Sequence, residues 1–267
     1  MVFQQEGQSL ESWYPESLTK IFGTRNLGSL HGNLHKFLKN MILTIVSPES
    51  LKKMFSDIES VATKNMKEWA SKETVEMKTA VADMIFELMG KKLISYDQEK
   101  SSENLRENFG AFIKGLITFP LDIPGTAFHK CLQTTSQAIT VAIKLLSDNP
   151  RALKELTEEH EKIQRNRENP EFGLTWQEYK SMTFTFQGMD FKCASKTFMA
   201  FGGGLRFCVG ADFARVQMAV FLHFLVTKYQ WQLVKGGETE RTPGLQFPNG
   251  FHVNFFEKDK HKDPMSV

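Results

Sequence analysis

The run Phe201–Gly210 (FGGGLRFCVG) constrains this chain more than any other segment. It sets a cysteine, Cys208, in a glycine-rich loop directly ahead of a long apolar segment, Asp212–Tyr229. That segment is apolar nearly all round (Phe213, Val216, Met218, Val220, Phe221, Leu222, Phe224, Leu225), which predicts a buried helix. The partial positive charge at the start of such a helix favours an ionised sulfur on Cys208. Gly204 and Gly210 are expected to adopt backbone conformations closed to other residues and to allow close approach of a flat ligand. A lone cysteine is ordinarily a small buried hydrophobe. Its neighbours decide otherwise here.

Phe201, Gly204, Arg206, Cys208 and Gly210 match F-x-x-G-x-R-x-C-x-G at every fixed position. Ordinary residue frequencies give that match by chance below roughly one time in ten thousand. The run resembles the cysteine loop of cytochromes P-450. The resemblance implies that Cys208 is the axial thiolate ligand of a haem iron, that Arg206 pairs with a haem propionate and that Phe201 shields the sulfur.

Other segments carry the same resemblance. His35 and Lys39 share a helical face at i, i+4 and resemble the family's propionate-binding pair, with Lys39 where Arg is more usual. Gln133-Thr134-Thr135 resembles the acid-Thr-Thr of the central helix, where Thr134 would assist proton delivery as a catalytic residue. Its carboxylate is replaced by Gln133. Phe247, Pro248 and Asn249 occupy the terminal turn that lines the substrate pocket in the family. The segments 119–126, 176–182 and 242–250 look like plant members of the brassinosteroid-related clan, nearest to triterpenoid hydroxylases of the thalianol-hydroxylase type. The implied activity is hydroxylation of a sterol-like or triterpenoid skeleton with O2. Its electrons would come from an NADPH-cytochrome reductase, and its setting would be the endoplasmic reticulum membrane.

The pattern departs from the family in its interior. No Glu-x-x-Arg precedes the cysteine loop at the family's distance. Glu103–Arg106 and Glu238–Arg241 fit the letters but fall in the wrong places. The family's intervening helices have no room between Leu132 and Thr134. These gaps imply joins near 133 and 187 between distant parts of a longer protein, as in an alternative splice product or a faulty gene model. The alternative function is then a catalytically inactive fragment, or a decoy for the reductase, that cannot hold haem stably. Partners lost from the central helix are expected to expose Ile139, Val141 and Leu145.

The fold class expected is mainly α with minor β, an incomplete P-450 fold in one domain over 1–267. Helical periods run through Leu34–Ile45, from Ser47-Pro48 onward, through Met77–Leu93, around Leu105–Ile113, and over Thr134–Ser147, Arg151–Arg167 and Trp176–Phe186. Ser47 and Thr175 are the expected N-caps, with Pro48 at the first helical position. Leu245 to Phe255 alternate about Asn249-Gly250 and predict a hairpin. A net charge of +2 with scattered basic residues shows no nucleic-acid-binding bias. Three cysteines without CxxC spacing argue against a disulfide framework and a zinc site. No apolar run reaches the ~18 residues of a membrane span. The start lacks a signal-peptide pattern. Read alone, the sequence predicts a soluble, intracellular monomer without a membrane anchor.

Overall fold

The structure, a computed structural model, describes residues 9–10, 28–96, 105–106, 127–167, 173–187, 201–242 and 244–258. Within these, helices dominate: α1 (Gly32–Ile45), α2 (Pro48–Ala70), α3 (Met77–Ile94), α4 (Ala127–Asp148), α5 (Pro150–Arg165), α6 (Trp176–Ser181), α7 (Thr183–Gln187) and α8 (Ala211–Lys228). A 3-10 turn covers Gly204–Arg206. The strands are β1 (Val75–Glu76), β2 (Tyr229–Gly236), β3 (Glu240–Thr242), β4 (Gly244–Gln246) and β5 (Phe251–Glu257). The expected class, mainly α with minor β, is what the chain adopts.

Local sequence explains most helix boundaries. Ser47 accepts from Ser50 N, and Pro48 opens α2 without losing a hydrogen bond. Thr175 and Glu178 form a reciprocal capping box at α6. Helix α8 is the centre of the core. Phe213, Val216, Ala219, Val220, Phe221, Leu222, Phe224, Leu225 and Val226 are all buried, on every side of the helix. Leu51, Phe55, Ile58, Ala62 and Met66 of α2 belong to the same cluster, with Val81, Ile85 and Leu88 of α3. Each such side chain contributes about 1.5–3 kcal/mol on burial.

Four expectations need correction. The predicted hairpin about Asn249-Gly250 does not form. Gly250 N does donate to Phe247 O at 3.0 Å, so the turn is real. Its two arms, however, belong to different sheets: β4 pairs with β3, whereas β5 lies between β1 and β2. Alternation identifies the inward face of a strand but not its partner. Here the longer strand β2 takes the edge of β5.

Residues 176–186 form two helices rather than one. The break falls at buried Met182, because Glu159 of α5 supplies a cap for α7 from another helix. Its carboxylate accepts from Phe184 N at 2.6 Å and Thr185 N at 3.0 Å. Helix α4 begins at Ala127, seven residues before the predicted start, and runs through Gln133 uninterrupted. Finally, Ile139 is 1% exposed and Val141 packs partly against the core, so only Leu145, 55% exposed, stands out as expected. The predicted helix around Leu105–Ile113 and the breaker 119–125 lie outside the described residues, apart from 105–106.

Candidate haem-thiolate site

The Cys208 loop closes on itself. Cys208 N donates to Phe201 O at 2.9 Å, and Phe207 N donates to Gly204 O at 3.2 Å. Gly202 (φ +70°) and Gly204 (φ +59°) lie in the left-handed region that favours glycine, and the loop needs both. Gly210 is different. At φ −91° it is ordinary backbone, and its place is the N-cap of α8, where its carbonyl accepts from Ala214 N at 2.9 Å. The sequence reading assigned the special conformation to Gly204 and Gly210, and the structure assigns it to Gly202 and Gly204. The Cys208 thiol is half-buried and not in a disulfide.

Two long-range anchors hold the loop. Arg206 reaches back to the entry of α1, donating from Nη2 to Leu30 O at 2.9 Å and from Nη1 to Gly28 O at 3.3 Å. Lys39 Nζ, on α1, donates to Leu205 O at 2.6 Å. Phe201 lies against Phe207, with ring centroids 6.4 Å apart, and under the guanidinium of Arg215 at 5.5 Å. Asp212 fixes Arg215 by a 3.0 Å ion pair one turn back on α8. Sequence reasoning missed Arg215. The available signal was the Asp-x-x-Arg spacing in the first turn of α8, which puts both side chains on one face.

The structure therefore gathers Phe201, Gly204, Arg206, Cys208, Gly210 and Lys39 in one place. His35 is buried on α1, one turn from Lys39. The remaining residues lie elsewhere in the fold. Thr134 is in the interior of α4, at a position whose side chain lies outside the described residues. Phe247 is buried and stacked on Phe251 at 5.8 Å and 13°, while Pro248 and Asn249 are exposed at the turn. Gln137, three residues after Thr134, donates to Leu245 O of β4, the strand that leads into the terminal turn.

The donor set fits a haem. It holds one soft sulfur on a glycine-shaped loop and two cationic side chains, Arg206 of the loop, which reaches the entry of α1, and Lys39 of α1, which reaches the loop. Among the described residues, no group of three or more His, Cys, Asp or Glu could hold a metal ion, so these offer no competing multi-ligand centre. No helix of the described residues is long and apolar enough to cross a membrane.

Known proteins resemble the chain both in sequence and in fold. The sequence profile of the family described as "Cytochrome P450" matches residues 186–253, which include the whole loop. Cytochrome P450 87A3 from Oryza sativa subsp. japonica is 37% identical over 97% of this chain and 74% of the relative. Beta-amyrin 16-alpha-hydroxylase CYP87D16 from Maesa lanceolata is 28% identical over 97% of this chain and 81% of the relative. Both alignments extend over 383 residues, against 267 in the chain. The solved structure of retinoic-acid-bound cyanobacterial CYP120A1 superposes with a TM-score of 0.62 at 14% identity, covering 95% of this chain and 86% of the other.

Proposed function

Because the chain belongs to the cytochrome P450 family, we propose that it is a haem-thiolate monooxygenase acting on a sterol-like or triterpenoid skeleton, with Cys208 as the axial ligand. The observation that carries this reading is the closed Phe201–Cys208 loop, with its half-buried thiol and its anchors to α1. When bound, haem supplies the activation of molecular oxygen with electrons from a reductase.

The chain's own residues have the following roles. Cys208 offers sulfur to the iron from a loop that the Cys208 N–Phe201 O bond keeps rigid. Arg206 and Lys39 supply positive charge for the propionates, and His35 is on the same face of α1 as Lys39. Phe201, pressed between Phe207 and Arg215, keeps water from the sulfur side. By the family resemblance Thr134 would take part in proton delivery, and Phe247, Pro248 and Asn249 would border an apolar substrate. The hydroxylase named among the relatives supports the triterpenoid class.

A specific observation favours a second reading. The relatives' 383 aligned residues exceed the chain's 267, so the relatives carry segments with no counterpart here. That supports a chain with internal segments missing; with the joins at the expected places near 133 and 187, it would be an inactive fragment that cannot hold haem stably.

The absorption spectrum of the haem-supplemented, reduced, carbon-monoxide-treated chain separates the two. A long-wavelength Soret band that disappears in Cys208→Ala is expected for the enzyme, and triterpenoid turnover with a reductase would then identify the substrate. A chain that is folded by circular dichroism yet gives no such band belongs to the fragment reading.

A further inference from the structure

Two histidines on different helices meet in the interior, away from the Cys208 loop. His160 of α5 and His223 of α8 are both 0% exposed. Their Nδ1 atoms are 3.1 Å apart, and the rings meet edge to face at 5.1 Å. On the far side of His160, Nε2 is 3.1 Å from Thr185 Oγ1 of α7. Thr185 Oγ1 is in turn 2.6 Å from Glu159 Oε2.

Donor and acceptor counts fix every proton in this chain. A carboxylate only accepts, so the Thr185 hydroxyl donates to Glu159. Its oxygen then accepts from His160 Nε2–H. That leaves a lone pair on His160 Nδ1, and His223 must donate to it from Nδ1–H. His223 Nε2 consequently carries a lone pair, and this buried atom has no hydrogen-bond partner among the described residues. With both rings neutral this arrangement holds no buried charge. A proton taken up on His160 Nδ1 forces His223 to present a lone pair there and to move its own proton to Nε2, which leaves a charged ring in the interior. A proton on His223 Nε2 would be a buried charge with no acceptor, which costs far more than the neutral orphan.

We propose that the Thr185–His160–His223 chain is an acid-operated latch. It ties α8 to α5 and α7 at neutral pH and releases them when a proton is taken up. The charged groups around it act in a consistent way. Glu159, on the same helix as His160, would welcome a positive ring, but its oxygens already cap α7 through Phe184 N and Thr185 N. Arg167, beyond the end of α5, and Lys228, on α8, repel charge on His223, as does a charged His160. Burial lowers His160 to about 4 and burial lowers His223 to about 3. Unfolded histidines titrate near their ordinary value of 6.5. Between these values the unfolded chain binds more protons than the folded one. Stability from the latch is therefore complete above the ordinary value and lost as pH falls below it. This holds whether or not Cys208 carries haem.

The test is the slope of unfolding free energy against pH between pH 6 and 5, from denaturant titrations of the wild-type chain and His160→Gln/His223→Leu. The wild type should take up about two more protons on unfolding than the double variant. His223→Asn, whose amide N–H can replace Nδ1–H, should lose about one of them. Equal slopes in all three would overturn the proposal. Should the double variant not fold, nitrogen NMR of the wild-type histidine rings decides. His160 and His223 should stay neutral at pH 5, His160 protonated at Nε2 and His223 at Nδ1. Ordinary titration of these two rings would also overturn it.

Discussion

Helices α8 and α1 both meet the Cys208 loop, and their apolar side chains have opposite fates. On α8 they are buried on all sides of the helix. On α1 the apolar stripe Leu34, Phe37, Met41 and Ile45 is exposed along its length. Helix α1 is joined to the loop by polar atoms instead, through Lys39 to Leu205 O and through Arg206 to the carbonyls that precede the helix. A helical period shows that a stripe exists. Whether the stripe is covered depends on elements elsewhere in the chain: α8 has α2, α5 and β2 around it, while the stripe of α1 is exposed.

The largest expected effect is therefore on α8. Phe221 is 1% exposed and its ring lies 6.2 Å from that of Trp69 on α2. Phe221→Ala should cost about 3–5 kcal/mol, the lost transfer energy plus the cavity left behind. Denaturant midpoints measure it. A cost below about 1 kcal/mol would mean that α8 is not the centre of the core.

Next comes the polar hold on α1. Arg206→Ala should destabilise by roughly 1.5–3 kcal/mol, because two carbonyls lose a charged donor. The conservative Arg206→Lys keeps the charge but loses the two-pronged geometry, so it should recover only part of that loss. Amide exchange over 32–45 should quicken in both variants, with α8 amides unaffected. Equal quickening of α8 would show that the two helices are not held independently.

Helix α3 combines both modes and sharpens the contrast. Its Met77, Val81, Met84, Ile85 and Leu88 are buried, yet its start depends on Glu76, which accepts from Thr79 N at 2.8 Å, Phe251 N at 3.2 Å and Lys78 N at 3.3 Å. Burial alone would raise the Glu76 carboxyl; the hydrogen bonds from Thr79, Phe251 and Lys78 outweigh it and leave it below its ordinary 4.5. A depressed carboxyl contributes stability that is present above the ordinary value and lost as pH falls through the folded one. Glu76→Gln should cost about 1 kcal/mol at pH 7 and less at pH 3, which thermal melts at the two pH values would show.

The sequence announces what is local and stays silent on what is distant. Ser47, Pro48, Thr175 and the all-round apolar character of 212–229 are visible because each cause lies within a turn or two of its effect. The Cys208 loop is legible through its fixed positions, and Lys39 through its spacing from His35. Glu159 capping α7, Arg206 reaching Gly28, and β5 choosing β2 over β4 all join residues far apart in sequence. No periodicity encodes such pairings. Gly202 was missed for a different reason: in a run of three glycines, composition does not show which one needs positive φ.

The smallest expected effect tests the exposed side of the comparison. Phe37 is 61% exposed, and Leu34 and Met41 beside it are more than half exposed. Truncating a side chain that gives up little water on folding removes little transfer energy, and α1 does not depend on Phe37 for its hold on the loop. Alanine also has the higher helix propensity, by up to ~0.7 kcal/mol, which offsets whatever contact is lost. Phe37→Ala should therefore shift stability by no more than ~0.5 kcal/mol in either direction. A loss of 2 kcal/mol or more, on the order of that for a buried residue, would mean that the stripe is covered in solution. Repeating the measurement over a range of protein concentrations would then separate a second copy, whose cover strengthens with concentration, from cover within one chain.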